Sequence, residues 1–193
     1  LLLPILILLS LPLIFQSTPT EILKLKIFDT FVTTPEPSGN FVILNITEED
    51  IANEGGWPLP RRTLAQMQVD LINQGAIGVG WVISFPQADR MGGDETFATT
   101  LGYAPSVLAM FETPNGKYPK TTGTVIKGDN PGGMLSQGVV QNIKILQDNS
   151  LQGIATAPTD IDNLVRRIPL LLKTPDGYVP AFGTEVLKAL TGA

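Results

Sequence analysis

Residues 41–89 read F-V-I-L-N-I (41–46), T-E-E-D-I-A-N-E-G-G-W-P-L-P-R-R (47–62), T-L-A-Q-M-Q-V-D-L-I-N-Q-G (63–75) and A-I-G-V-G-W-V-I-S-F-P-Q-A-D (76–89). The first segment is a short apolar run rich in β-branched and aromatic residues, the pattern of a buried strand. Residues 77–85 form a second such run, closed by Pro86. Between them Pro60 suits the first turn of a helix, where its missing N–H costs nothing. Leu64, Met67 and Leu71 make one apolar stripe flanked by Ala65 and Ile72, while Arg62, Gln66, Asp70 and Asn73 take the other side. Gly75 supplies a left-handed stop. Strand, helix and strand at this spacing predict an adjacent parallel pair joined by a right-handed crossover.

The rest of the composition narrows the function. A chain of 193 residues with 43% apolar and 16% charged residues fits one domain with a sizeable core. A net charge of −5 without a basic stripe excludes nucleic acid as the expected partner. Of the paired basic sites, Arg61-Arg62 opens the helix and Arg166-Arg167 falls in a predicted strand. There is neither cysteine nor histidine. Thiol nucleophiles, Ser-His-Asp triads, thiolate or imidazole metal sites and a histidine pH switch are therefore excluded, and no cofactor is expected.

Working outward, residues 1–15 are apolar and uncharged. The run is shorter than the ~20 residues of a spanning helix, and the chain opens without Met, so it reads as a truncated membrane anchor over residues 1–19. A cleaved signal peptide lacks its small-residue site here, and two prolines disfavour a buried helix. Residues 20–193 then form an extracytoplasmic domain. Residues 21–31 read as a helix leaving the anchor and 33–40 as a loop. Residues 94–101 read as a helix capped by Asp94, and 106–111 as a third strand. The excursion 112–133 holds one short strand at 124–127. A fourth strand is expected at 139–146 and a short one at 153–157. A hairpin follows over 164–173 and 178–181, turning at Asp176-Gly177, and a last helix covers 182–190. The fold class is thus α/β: a mixed sheet with a parallel β-α-β-α-β core, a C-terminal hairpin and helix, and an apolar anchor helix in front.

Few residues offer chemistry. G-A-I-G-V-G (75–80) leaves a helix and enters a strand, the reverse of a dinucleotide loop, so its glycines serve close helix–sheet packing. G-D-N-P-G-G-M (128–134) lacks the G-K-[ST] ending of a P-loop and reads as a turn. Asp89, Asp94 and Glu95 converge near a strand end, where oxygen ligands would suit Mg²⁺ or Ca²⁺; a helix cap with a solvated loop is the favoured reading. Asp160 and Asp162 match a calcium loop only in its first spacing. Trp57 and Arg61 pair an indole with a guanidinium, a combination that binds small anions or aromatic ligands. The plainer alternative, favoured on the residues alone, has Trp57 covering the core and Arg61 tying the loop to Asp29 or Glu49.

Several of these motifs, in order, resemble the second CHASE family. They are K-I-F-D-T-F (26–31) with Asp29, V-I-L-N-I-T-E-E-D (42–50), G-W-P-L-P-R (56–61) with Trp57, Pro58, Pro60 and Arg61, and W-V-I-S-F-P (81–86) with Phe85 and Pro86. Asp94, and D-I-D-N-L-V-R-R-I-P-L-L (160–171) with Arg166 and Pro169, complete the set. The sequence departs from the family pattern with Asn45 and Val82, where Asp is common, and with Asn163 in place of glycine. The resemblance implies an extracytoplasmic sensory domain at the cell membrane, facing the periplasm or the extracellular side, that passes a small-ligand or protein stimulus to a cytoplasmic cyclase or kinase. It implies no catalysis by this region. The ligand-binding candidates are Trp57, Arg61, Asp89, Asp94 and Arg166. A homodimeric scaffold and, less favoured, a metal-dependent enzyme using the acidic cluster are the alternatives.

Overall fold

Two units make up the chain in the computed structural model, which describes residues 10, 18–118 and 132–192. One comprises residues 1–45 and 158–167, the other residues 46–157 and 168–193. Most of the expected anchor (1–19), and the expected strand at 124–127, lie outside the described residues. No helix among the described residues is long and apolar enough to cross a membrane.

The first unit contains α1 (Thr18–Phe31) and a turn at 160–164. In that turn Asn163 N–H donates to Asp160 O at 2.9 Å, and Asp160 N–H to Leu164 O at 2.9 Å. Asn163 adopts φ 62°, a left-handed conformation that asparagine tolerates better than other side chains. This explains how it stands in for glycine.

Residues 41–46 do not form the expected strand. Among the described residues they join no ladder, and Ile43 is 86% exposed. An apolar β-branched run has strand propensity, but that becomes a strand only where another strand supplies its hydrogen bonds. The segment after it is a short helix, α2 (Glu48–Asn53), started by a capping box. Asp50 N–H donates to Thr47 Oγ1 at 3.2 Å, and Thr47 N–H to Asp50 Oδ2 at 2.8 Å.

In the second unit the sequence-predicted helix is α3 (Arg61–Asn73). Its buried stripe is Arg61, Leu64, Ala65 and Gln68, with Met67 and Leu71 only half-buried. The parallel core does hold three strands, but the third is not residues 41–46. Strand β1 (Val79–Trp81) runs parallel to β2 (Ser106–Lys117) through the crossover helix α4 (Asp94–Leu101). After β3 (Met134–Leu135), β4 (Val139–Val140) and α5 (Lys144–Gln147), strand β5 (Leu151–Ile154) returns parallel to β2. Val79 is in register with Ser106, and Val107 with Leu151. The outer half of β2 pairs antiparallel with β4. A second sheet joins β3 to the hairpin β6 (Leu171–Thr174) and β7 (Gly177–Pro180), which turns at 175–176. The expected strand 139–146 stops at Val140, and 164–170 are coil, so Arg166 and Arg167 precede the hairpin rather than lying in it.

Alternation along β1 builds two layers onto the sheet. Val79 and Trp81 face the core formed with Leu64, Phe85, Phe97, Leu101 and Leu108. Residues 78 and 80 face the last helix, α6 (Phe182–Thr191). Both are glycine, as is Gly153 on β5. A Cβ at position 80 would come 3.0 Å from the Phe182 ring, and at 153 it would come 2.6 Å from Phe182 Cα. The glycines of A-I-G-V-G thus serve helix–sheet packing, and the helix is α6. Glu185 is wholly buried there, with its Oε2 3.0 Å from Lys188 Nζ. On the other face, Trp81 Nε1–H donates to Gln68 Oε1 at 2.8 Å, and Gln68 Nε2–H to Ser106 Oγ at 2.9 Å. That relay locks α3 to β1 and β2.

Gly153→Ala should lift α6 and cost ~1–3 kcal/mol, the range for overpacking a filled interior. Urea unfolding measures the loss, and amide exchange should rise in 182–191 before it rises in α3.

Candidate functional site

One cleft of about 760 Å³ opens in the second unit beyond the end of β1. Its walls include Trp57, Arg61, Val82, Phe85 and Met91. This is the carboxyl end of a parallel strand, the usual ligand edge of an α/β sheet.

The motif G-G-W-P-L-P-R-R builds one wall residue by residue. Gly55 and Gly56 have φ 86° and 112°, a turn that side chains resist. Trp57 then points out, 58% exposed, across a cis bond to Pro58. Leu59 plugs into the core, Pro60 occupies the N-cap position of α3 without a side-chain cap bond, and Arg61 is its first residue. Thr63 Oγ1–H donates to Glu54 Oε2 at 2.9 Å and ties the loop back to α3. The expectation that Trp57 covers the core is therefore corrected: Leu59 does that, and Trp57 faces solvent.

Arg61 is 7% exposed. Its guanidinium lies over the Phe85 ring, 4.3 Å from the centroid. Its ionic partner is neither Asp29 nor Glu49 but Asp94, at 3.5 Å from Nε. Burial lowers its pKa, opposed by Asp94 and Asp89.

Asp89 is committed to the backbone. Its Oδ2 accepts from Arg61 N–H and from Gly93 N–H, both at 3.1 Å, and its Oδ1 accepts from Met91 N–H at 3.0 Å. One carboxylate thereby caps the starts of both α3 and α4. Burial works against its charge, but those bonds and Arg61 outweigh it and hold the pKa below the usual carboxylate range. The cap expected of Asp94 is thus displaced: Gly93 occupies the N-cap position, and Asp94 is the first helical residue. Asp94 Oδ2 accepts from Asp89 N–H at 2.8 Å. A Cβ at Gly93 would meet Arg62 N at 2.8 Å, so the two helix starts approach only because that residue is glycine. Glu95 joins none of these contacts. Among the described residues no group of three acidic side chains is arranged for a metal ion.

The cleft floor depends on a residue that sequence reasoning missed. Asn142 is buried; its Oδ1 accepts from Phe85 N–H at 2.6 Å, and its Nδ2 donates to Ala109 O at 3.1 Å and to Gln152 Oε1 at 2.6 Å. Ile143 N–H donates to Phe85 O at 2.8 Å. Phe85 is therefore fixed on both sides of its peptide, and it carries Arg61.

Arg166, grouped by sequence with these residues, belongs to the other unit. All its N–H groups are taken. Nε and Nη2 grip Asp29 at 2.7 and 2.8 Å, Nη1 and Nη2 grip Asp162 at 2.8 and 2.7 Å, and Nη1 reaches Asp160 at 3.1 Å. The clasp joins α1 to the turn at 160–164. Its pKa is raised, first by Asp29 and then by Asp162. Asp160 and Asp162 are spent on this arginine, with Arg167 also reaching Asp160 at 3.2 Å.

The Arg166 hydrogen bonds hold Asp162 at a pKa of about 2, below its ordinary 3.8. The folded value is the depressed one, so the contribution is complete above 3.8 and is lost as pH falls through about 2. Carboxyl-carbon NMR should find Asp162 titrating near 2, and Arg166→Gln should move it back toward 3.8.

The model of the CHASE2 domain family matches residues 4–192. No curated protein and no solved structure matches the chain. Matched over nearly its whole length, the chain belongs to the CHASE2 family, whose members are extracytoplasmic sensory domains of signalling proteins rather than catalysts.

Proposed function

We propose that this chain is the input domain of a membrane signalling protein. It faces the periplasm or cell exterior, is held by its apolar N-terminus, and answers a small ligand through a cytoplasmic cyclase or kinase. The family match over residues 4–192 carries the reading. The cleft supports it, since buried Arg61 lies beside exposed Trp57 at a strand end. A ligand that favours one of two arrangements of the cleft would shift their populations, and α6 is the element through which a downstream segment would feel the shift. The oxygens of Asp89 and the Oδ2 of Asp94 serve backbone N–H groups, which argues against a metal-dependent hydrolase.

A second reading, a dimerisation scaffold, has one observation in its favour. Leu23, Ile27 and Phe31 form an exposed apolar row along α1. Sedimentation of the chain at rising concentration separates the two readings: a dimer dissociated by Ile27→Asp with no response to any solute supports the scaffold.

An alkaline phosphatase reporter placed after Thr191 tests the topology. Activity in intact cells is the expected result, and a reporter active only when retargeted by an added signal sequence overturns the membrane-facing assignment.

A further inference from the structure

We propose that the cleft of the second unit binds a small organic monocarboxylate with a flat or branched apolar body. Arg61 takes its head group and Trp57 its body. This names the ligand class of the input-domain reading and rests on it.

The two enclosed arginines of the protein make the case by contrast. Arg166 donates five hydrogen bonds to carboxylates, one for each N–H it owns. The Arg61 side chain, as closely enclosed, donates none to any described residue. Its Nε and Asp94 Oδ1, 3.5 Å apart, are both buried without a hydrogen-bond partner. The guanidinium over Phe85 thus has Nε set against Asp94 and Nη1 and Nη2 donating to no described residue, which leaves those two groups for an acceptor from the cleft.

The neighbours decide the sign and number of charges. The oxygens of Asp89 already accept three backbone N–H bonds, and Asp94 Oδ2 accepts a fourth. The remaining oxygen, Asp94 Oδ1, is buried 3.5 Å from Arg61 Nε and is not presented to a cationic ligand. Arg61 and Arg90 are balanced by Asp89 and Asp94, so the site favours one added negative charge over two. Arg90 lines the cleft, is exposed, and has no ion pair among the described residues. A planar carboxylate matches the fork of a guanidinium.

The walls decide the body. Trp57, Val82 and Met91 are large apolar residues left exposed, and all three line this cleft. An indole accepts a flat ring or a branched alkyl group against its face. The volume, about 760 Å³, is that of a small-molecule site.

The experiment is calorimetric titration and thermal shift of the full chain. The probes are benzoate, phenylacetate and isovalerate against benzamide, phenylacetamide, phenethylamine, acetate and inorganic phosphate. The apolar carboxylates should bind saturably and raise Tm, with the matched amides at least about tenfold weaker. Arg61→Gln should abolish binding. Trp57→Ala, a surface change that leaves the fold intact, should weaken phenylacetate by about tenfold, so the proposal stays testable if the Arg61 variant misfolds. Amides or the amine binding as tightly as the acids, or phosphate displacing them, would overturn the ligand class while leaving the input-domain reading in place. Saturable binding unchanged in both variants would move the site elsewhere and overturn the proposal. No binding by any probe would overturn the cleft as a carboxylate site; the reporter after Thr191 then decides the topology independently.

Discussion

The Asp89 carboxylate is the constraint that organises the second unit. Two helices begin within hydrogen-bond reach of one oxygen, which accepts from Arg61 N–H and Gly93 N–H at equal distance. Helix starts carry unsatisfied N–H groups and partial positive charge, and bringing two together is unfavourable without an anion between them. The same contact places the Arg61 side chain above Phe85 and sets Asp94 beside it. Remove the anion, and α3, α4 and the cationic wall of the cleft lose their shared origin.

Beneath this junction the structure relies on buried polar side chains that act as fasteners. Gln68 joins α3 to two strands through Trp81 and Ser106. Asn142 joins the end of the β1 segment to β2 and β5. Each is enclosed, where an unmade hydrogen bond costs about twice what a made one contributes. These residues therefore specify register more than they add stability. On the opposite face the glycines at 78, 80 and 153 let α6 lie against the sheet with side chains from one partner only.

Much of this was legible in the sequence, and the failures have physical causes. The helix at Asp94–Leu101, a hairpin before the last helix and that helix follow from period and turn chemistry, which are local, though the hairpin turns at 175–176, one residue before the expected Asp176-Gly177. The strand expected at 41–46 failed because pairing is not local: apolar β-branched residues meet the propensity for a strand without any guarantee of a ladder. L-Q-G-I at Leu151–Ile154, short and containing Gln and Gly, has a weaker strand signal yet takes the place beside β2. Its Gly153 is there to admit α6, and its Gln152 to bond Asn142. Trp57 and Arg61 stood out as a motif, and three of the five candidate residues line one cleft with Asp94 beside it. Arg166 stood out for the same reason and proved to be a clasp, because sequence shows a charge but not which carboxylates will reach it. Asn142 and Gln68 are polar, so neither carried a hydrophobic signal, although Gln68 falls on the buried stripe by spacing.

The glycine turn before Trp57 has a consequence for how the cleft is divided. Gly55 and Gly56 bend the chain so that Trp57 stands clear of the core, while Leu59 and Arg61, a few residues on, are enclosed. The cationic half of the cleft is thereby built into the folding of two helices, and the aromatic half hangs outside it. In the proposed carboxylate site, position 57 shapes the pocket without holding up the core. Position 61 also holds up the fold, since its side chain packs on Phe85 and pairs with Asp94. The charge of the proposed site is thus tied to the fold, and its shape is not.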